Sequence, residues 1–191
     1  NSGSDQGLAI DDMSVTATFV SANTAPVFVS SSPQTLSAVC IGSGAVSLNN
    51  FLKVNDADAS QTETWTVTTP PTKGSLSGFP ATAASGSTSI TPGGTLIYTP
   101  STAGADQFVI QVSDGTATAS MTVNITNNAP ATANAGSPLT TCSGSPVTLA
   151  GSRGGSAASS TWSAPSGTFS DVTSLTSTYT PTVASGNVTL T

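Results

Sequence analysis

One scheme is written twice along this chain, and a chain that repeats itself folds as repeated units. Residues from Trp65 read Trp-Thr-Val-Thr-Thr-Pro-Pro-Thr-Lys-Gly-Ser-Leu-Ser, and residues from Trp162 read Trp-Ser-Ala-Pro-Ser-Gly-Thr-Phe-Ser, the same order with a shorter turn. Both then reach a Tyr-Thr-Pro, at Tyr98-Thr99-Pro100 and Tyr179-Thr180-Pro181. Upstream, the stretch from Cys40 to Leu48 corresponds to the stretch from Cys142 to Leu149. Two modules therefore begin near Pro26 and Pro130.

A second echo joins module ends: Met13-Ser14-Val15-Thr16-Ala17-Thr18 is similar to Met121-Thr122-Val123-Asn124-Ile125-Thr126, and each is soon followed by Ala-Pro. Residues 1–21 thus read as the last strand or strands of a preceding sandwich. Residues 22–127 read as a complete module. Residues 128–191 read as a second, truncated one, reaching Thr191 about where the first has Val109 to Gln111. On this reading both chain ends lie in incomplete domains.

Only 6% of the 191 residues are charged, against about 25% in an average soluble domain, and Ser, Thr, Gly and Ala take their place. Thr and Val are stiff at the first side-chain torsion and suit a pleated surface. Alternation of apolar and polar residues marks strands at Thr64 to Thr68, Thr95 to Tyr98, Phe108 to Val112 and Ser120 to Ile125. Turn signals punctuate them at Pro70 to Gly74, Thr91 to Gly94 and Ser113-Asp114-Gly115. Short strands at this spacing, with no helical run between them, predict an all-β fold of tandem β-sandwich modules, seven strands to the complete one.

The same composition excludes whole classes of function. The net charge is −6, so the chain lacks the clustered Lys and Arg that a nucleic-acid partner requires. No stretch approaches eighteen apolar residues, so no membrane insertion is expected, and Asn1 to Asp5 do not read as a signal peptide. His is absent, which removes the commonest general base and transition-metal ligand. Ser therefore has no His to activate it, and no Gly-x-Ser-x-Gly elbow is present. The only tight carboxylate pairs are Asp11-Asp12, whose neighbours point to opposite faces of a strand, and Asp56 with Asp58. No enzyme is expected.

Tyr98-Thr99-Pro100, Gly104 to Phe108 and Val112 to Gly115 resemble the ending of cadherin-like and bacterial Ig-like repeats of giant surface adhesins. Asn23 to Phe28 and Asn127 to Pro130 resemble cadherin linkers, without the acidic residue those linkers supply. Residues 131–191 resemble a PKD-like repeat of Bacteroidota surface proteins, and Gly7 to Val15 the closing strand of a bacterial jelly roll. The resemblance implies tandem Ig-like or cadherin-like sandwiches and export to the cell surface or beyond, through the type IX route.

Asp56 and Asp58 stand two residues apart, a spacing that lets a loop offer oxygens to calcium. In cadherin-like repeats the matching pair binds calcium together with the Asp of the Asp-Gly turn, here Asp114, so Asp56, Asp58 and Asp114 are the candidate metal ligands. Calcium is the one candidate cofactor. The competing reading has these Asp residues capping turns, since Asp58 is followed by Ala59-Ser60 and the linkers offer only Asn. Asp106 reads as the cap of a strand entrance.

Cys40 and Cys142 fall at equivalent places in successive modules, roughly 30 Å apart for strands of about ten residues, well beyond the ~7 Å reach of a disulfide. Two buried, unpaired thiols follow. Trp65 and Trp162 read as central-strand core residues, with sugar stacking the sharper alternative. Asn124-Ile125-Thr126 and Asn187-Val188-Thr189 match the glycosylation pattern but fall inside predicted strands. Cross-linking through Lys53 or Lys73 would need the lysine buried beside an acid, and Lys73 lies in a turn. The function expected is a stalk segment that spaces or displays an adhesive region, with neighbouring sandwiches of the same chain as partners. The alternatives are a glycan- or protein-binding module, and a filament subunit that associates head to tail by strand donation.

Overall fold

The computed structural model describes residues 22–191, so the predicted strand around Leu8 to Phe19, its jelly-roll resemblance and the Asp11-Asp12 pair lie outside the described residues. Among those residues the chain is all-β, in two units.

The first unit carries β1 (Val27–Phe28), β2 (Gln34–Thr35), β3 (Val39–Cys40), β4 (Val46–Ser47), β5 (Val54–Asp56), β6 (Thr62–Thr69), β7 (Gly74–Ser77), β8 (Ala81–Ala84), β9 (Ser87–Ile90), β10 (Ile97–Pro100), β11 (Gly104–Ser113) and β12 (Thr118–Asn128). Seven strands were expected and twelve segments form. Only β6, β11 and β12 exceed four residues; Gly, Pro and Ser lie beside several of the shorter ones. These three are the segments in which strict alternation runs longest.

One sheet has the order β2-β12-β11-β6-β8, with β3 also paired to β12; the opposing layer is made of β4-β10-β7 and β1-β5-β9. Pairing is antiparallel except where β2 and β3 run parallel to β12. Alternation along the long strands turns Trp65, Phe108, Ile110, Val112, Met121, Val123 and Ile125 inward, against Leu48, Leu52, Val54 and Tyr98 of the other layer. The Trp65 indole N–H donates to the Leu52 carbonyl oxygen at 2.9 Å, so the one polar atom of the largest core side chain is satisfied.

The second unit holds β13 (Thr132–Asn134), β14 (Val147–Thr148), β15 (Ser152–Gly154), β16 (Thr168–Phe169) and β17 (Thr178–Thr180), paired as β13-β15 and β14-β17-β16. The repeat seen in sequence is reproduced in register. Val46, Tyr98 and Leu76 lie side by side in the first unit, as Val147, Tyr179 and Phe169 do in the second. Leu48 N–H donates to Leu96 O, and Leu149 N–H to Ser177 O, two residues before the tyrosine in each case. Trp162 is buried with Leu149 and Tyr179 and donates to Ser174 O at 2.8 Å. Both tryptophans are therefore core residues.

Each tyrosine lies against a glycine. A Cβ built on Gly74 would fall 2.4 Å from the Tyr98 ring, and one on Gly167, where φ is +84°, would fall 2.5 Å from the Tyr179 hydroxyl. Neither ring can retreat without leaving its core. Gly74→Ala should lower the first unit's stability by about 2 kcal/mol through overpacking, read as a shift of the urea midpoint at constant slope. An unchanged midpoint would show that the ring has room to move.

Both thiols are free, but the expectation that both are buried needs correction. Cys40 is half-buried where β3 meets β12, whereas Cys142 is exposed. The difference is what lies alongside, since residues 131–146 are exposed throughout.

Candidate functional site

The first unit concentrates its buried polar groups at two ends. The start of β6 and the end of β11 lie at one end, because Thr64 pairs with Ser113; the start of β11 and the end of β12 lie at the other, because Gly104 pairs with Asn127. The chain enters the unit at the first and leaves at the second.

At the inlet, Asp56, Glu63 and Asp114 are buried, and Glu63 has no exposed surface. Glu63 is inward because β6 alternates and Trp65, two residues on, occupies the same face. Neither carboxylate oxygen of Glu63 meets a donor, nor does Asp56 Oδ2 or Gln61 Oε1. A protonated Glu63 relieves part of this, for its hydroxyl then donates to the Asp56 carboxylate. Burial first, then that hydrogen bond and the negative fields of Asp56 and Asp114, push the Glu63 carboxyl up from 4.5 to about 7.

The other acids serve the backbone. Asp56 Oδ1 accepts the Asp58 N–H at 2.8 Å, and Asp58 Oδ2 accepts the Thr24 N–H at 2.6 Å. Asp114 Oδ1 accepts the N–H groups of Thr116 (2.7 Å) and Ala117 (2.6 Å), closing the turn between β11 and β12. Its Oδ2 accepts the Asn23 amide at 3.0 Å, and Asn23 Oδ1 in turn accepts from Gln61 Nε2. Burial would raise the Asp114 carboxyl, but the donors from Ala117, Thr116 and Asn23 outweigh it and hold it below its ordinary 3.8. Asn23 and Thr24 of the leading segment are thereby tied to side chains of the unit they precede.

Asp56 and Asp114 come together around Glu63, while Asp58 turns away to Thr24. Among the described residues no three acid side chains stand as a group able to hold a metal ion. The donor set predicted for calcium, Asp56, Asp58 and Asp114, does not fit a calcium ion in this arrangement. Asp56 Oδ1 and Asp114 Oδ1 accept turn N–H groups, and Asp58 Oδ2 and Asp114 Oδ2 are tied to the leading segment, while Asp56 Oδ2 is left without a donor.

At the outlet, Asp106 is the hub. Its Oδ1 accepts from Thr72 N (2.9 Å), Thr72 Oγ1 (3.2 Å) and Gln107 N (3.0 Å), and its Oδ2 from Lys73 N (2.9 Å) and Tyr98 OH (2.8 Å). The carboxylate therefore fastens the Pro70 to Gly74 turn to the foot of β11. Burial opposes its charge, yet donors from Thr72, Tyr98, Lys73 and Gln107 leave its carboxyl lowered. Burial and the same carboxylate push the Tyr98 phenol up to about 12, against a lowering by Asn127. Asn127 Nδ2 shares its two hydrogens among Tyr98 Oη (2.6 Å), Lys73 O (2.9 Å) and Thr102 O (3.1 Å). A residue that reads as linker is thus a buried member of the outlet cluster.

These groups hold turns and chain ends, and no nucleophile stands beside a base among them. Trp65 has no exposed surface, so it offers no sugar platform. Sequence reasoning placed Asp106 correctly as a strand-entrance cap and missed Glu63. The signal for Glu63 was the alternation of Thr62-Glu63-Thr64-Trp65 carried two residues back from the tryptophan.

The sequence profile of the bacterial Ig domain family matches residues 23–126. No curated protein matches the chain. Among solved structures, an endo-fucoidan hydrolase of glycoside hydrolase family 107 is similar at 19% identity and a TM-score of 0.40, over 87% of this chain and 27% of that one. A three-domain Ig fragment of titin is similar at 12% identity and 0.42, over 83% and 56%. The four N-terminal Ig domains of Dscam1 isoform 6.9 are similar at 18% identity and 0.38, over 77% and 36%. The chain spans about a quarter of the first of these proteins and about half of the second.

Proposed function

The chain belongs to the bacterial Ig domain family, and from that premise we propose that it is a structural spacer within a larger multidomain protein displayed outside the cell. The observation that carries this reading is the polarity of the first unit. The chain enters at the Asp114 end and leaves at the Asp106 end, with the ten residues of β11 between them, about 33 Å at strand rise. Each end is tied by its own hydrogen-bonded cluster, through Asn23 at one and Asn127 at the other. A module so arranged passes its neighbour outward and commits the carboxylates of Asp106 and Asp114 to its own turns. Stalk placement beneath an adhesive region, and the cadherin-like and PKD-like character of the two units, belong to the same proposal, as does location at the surface or in the secreted fraction.

The reading predicts that the whole chain, labelled and applied to a glycan array, gives no spot that saturates at micromolar concentration. A saturable glycan, with binding lost on substitution of one surface side chain, would replace the spacer with a binding module.

A further inference from the structure

The first unit does not release the chain until the second has taken hold of it. At the end of β12, Asn127 and Asn128 pair with Val39 and Cys40. The Asn127 side chain is buried in the outlet cluster, and the Asn128 carbonyl oxygen accepts the Ile41 N–H at 3.0 Å. The next carbonyl already belongs to the other side. Ala129 O accepts the Ser156 N–H at 3.1 Å, and Thr132 pairs with Gly154.

Between those two held carbonyls the chain has little freedom to turn. The peptide bond joining Asn128 to Ala129 is planar, so φ and ψ of Ala129 are the soft torsions that separate the grips. Pro130 follows and confines them to the extended region. Gly155 closes what space is left. Its φ is +62°, and a Cβ on it would overlap the Pro130 carbonyl oxygen, so this turn approaches the linker backbone as only a residue without a side chain can.

The acids of the first inlet have no counterpart at the second. Phe28 and Thr132 each stand two residues after the module's proline and pair with Val54 and Gly154, so Ser156 occupies the place of Asp56. The one acid of residues 130–191, Asp171, accepts from Thr173 in its own turn. The second unit therefore brings no carboxylate to the joint, and its hold on the linker is made by backbone groups.

We propose that this joint is a stiff coupling made by the backbone, which turns the two units as one body and needs no cation to do so. Its purpose rests on the spacer reading, since a spacer that bends freely between modules cannot hold a distal domain at a set distance. Its geometry stands apart from that reading.

Residual dipolar couplings of the whole 191-residue chain, measured in the presence of a chelator, test the proposal. One alignment should describe both units, with equal degrees of order. Gly155→Ala drives a methyl group against the Pro130 carbonyl and should lower the order of the second unit at least about twofold relative to the first. Because that substitution also strains its own turn, a second variant carries Gly-Gly inserted between Asn128 and Ala129, which keeps both grips and adds slack. The same loss is expected from it. Unequal order in the unaltered chain overturns the proposal, and so does equal order in either variant. Order that becomes equal only when calcium is added would assign the coupling to a cation and overturn the backbone account. A saturable glycan would remove the spacer reading and leave these couplings unchanged, so the two ideas fail separately.

Discussion

Replacing Glu63 by Gln is expected to flatten the stability of the first unit between pH 4.5 and 7. Glu63 holds its proton more tightly folded than unfolded, with a carboxyl raised from 4.5 to about 7. Between those values the folded state binds more protons, so stability falls as pH rises and the loss is complete above about 7. A shift of that size corresponds to on the order of 3 kcal/mol. Glutamine keeps the shape, stays neutral and donates an N–H to Asp56, so Glu63→Gln should recover most of that amount at pH 8 and almost none at pH 4.5. On the acid side the order reverses. Asp106 and Asp114, held below their ordinary 3.8, contribute stability that is present above that value and lost as pH falls through their folded range. Wild type should therefore be most stable in mildly acid solution. Urea midpoints measured from pH 3 to 8 decide the matter, and an unchanged slope between 4.5 and 7 in Glu63→Gln would refute the assignment.

Asp106→Ala should be more damaging than any surface substitution in the unit, by about 4 kcal/mol, because truncation strands the donors that converge on a buried carboxylate. Thr72 N–H, Lys73 N–H and Tyr98 OH all lose their acceptor. Tyr98 also accepts from Asn127, so the chain's exit should loosen with it. Asp106→Asn keeps one acceptor oxygen and should fall between the two. Faster amide exchange at Thr72, Lys73 and Thr102 in Asp106→Ala would show that the loss is local to the outlet. A loss below about 1 kcal/mol would mean that water replaces the carboxylate.

What could be read in the sequence follows from how local each signal is. The long strands announce themselves because β6, β11 and β12 alternate over many residues, and the two tryptophans could be placed because each opens the same scheme. The short segments have no such signature: β2 and β3 exist only because β12 lies beside them. The acids show the same division. Asp114 as a turn cap is readable from Asp-Gly, since its acceptors' donors lie two and three residues on. Its bond to Asn23 spans 91 residues and leaves no local mark. The calcium reading of Asp56, Asp58 and Asp114 rested on spacing and on the resemblance to cadherin-like repeats, and neither says that one carboxylate will turn to Thr24. Cys40 and Cys142 illustrate the limit from the other side, as equivalent positions in sequence differ in burial with what packs beside them.

The parallel pairing of β2 and β3 with β12 determines how the first unit answers tension. Beyond β1, the leading segment and the departing strand point the same way, so pulling the two chain ends apart slides them past each other instead of peeling them open. The bonds from Leu36 N–H to Asn124 O and from Ile41 N–H to Asn128 O then carry the load together, and all must fail within one event. Two antiparallel neighbours, pulled from adjacent ends, would release their bonds one at a time. Resistance to stretching is thus set by a rate of rupture at this patch, and it need not follow the free energy of unfolding that pH or a core substitution changes.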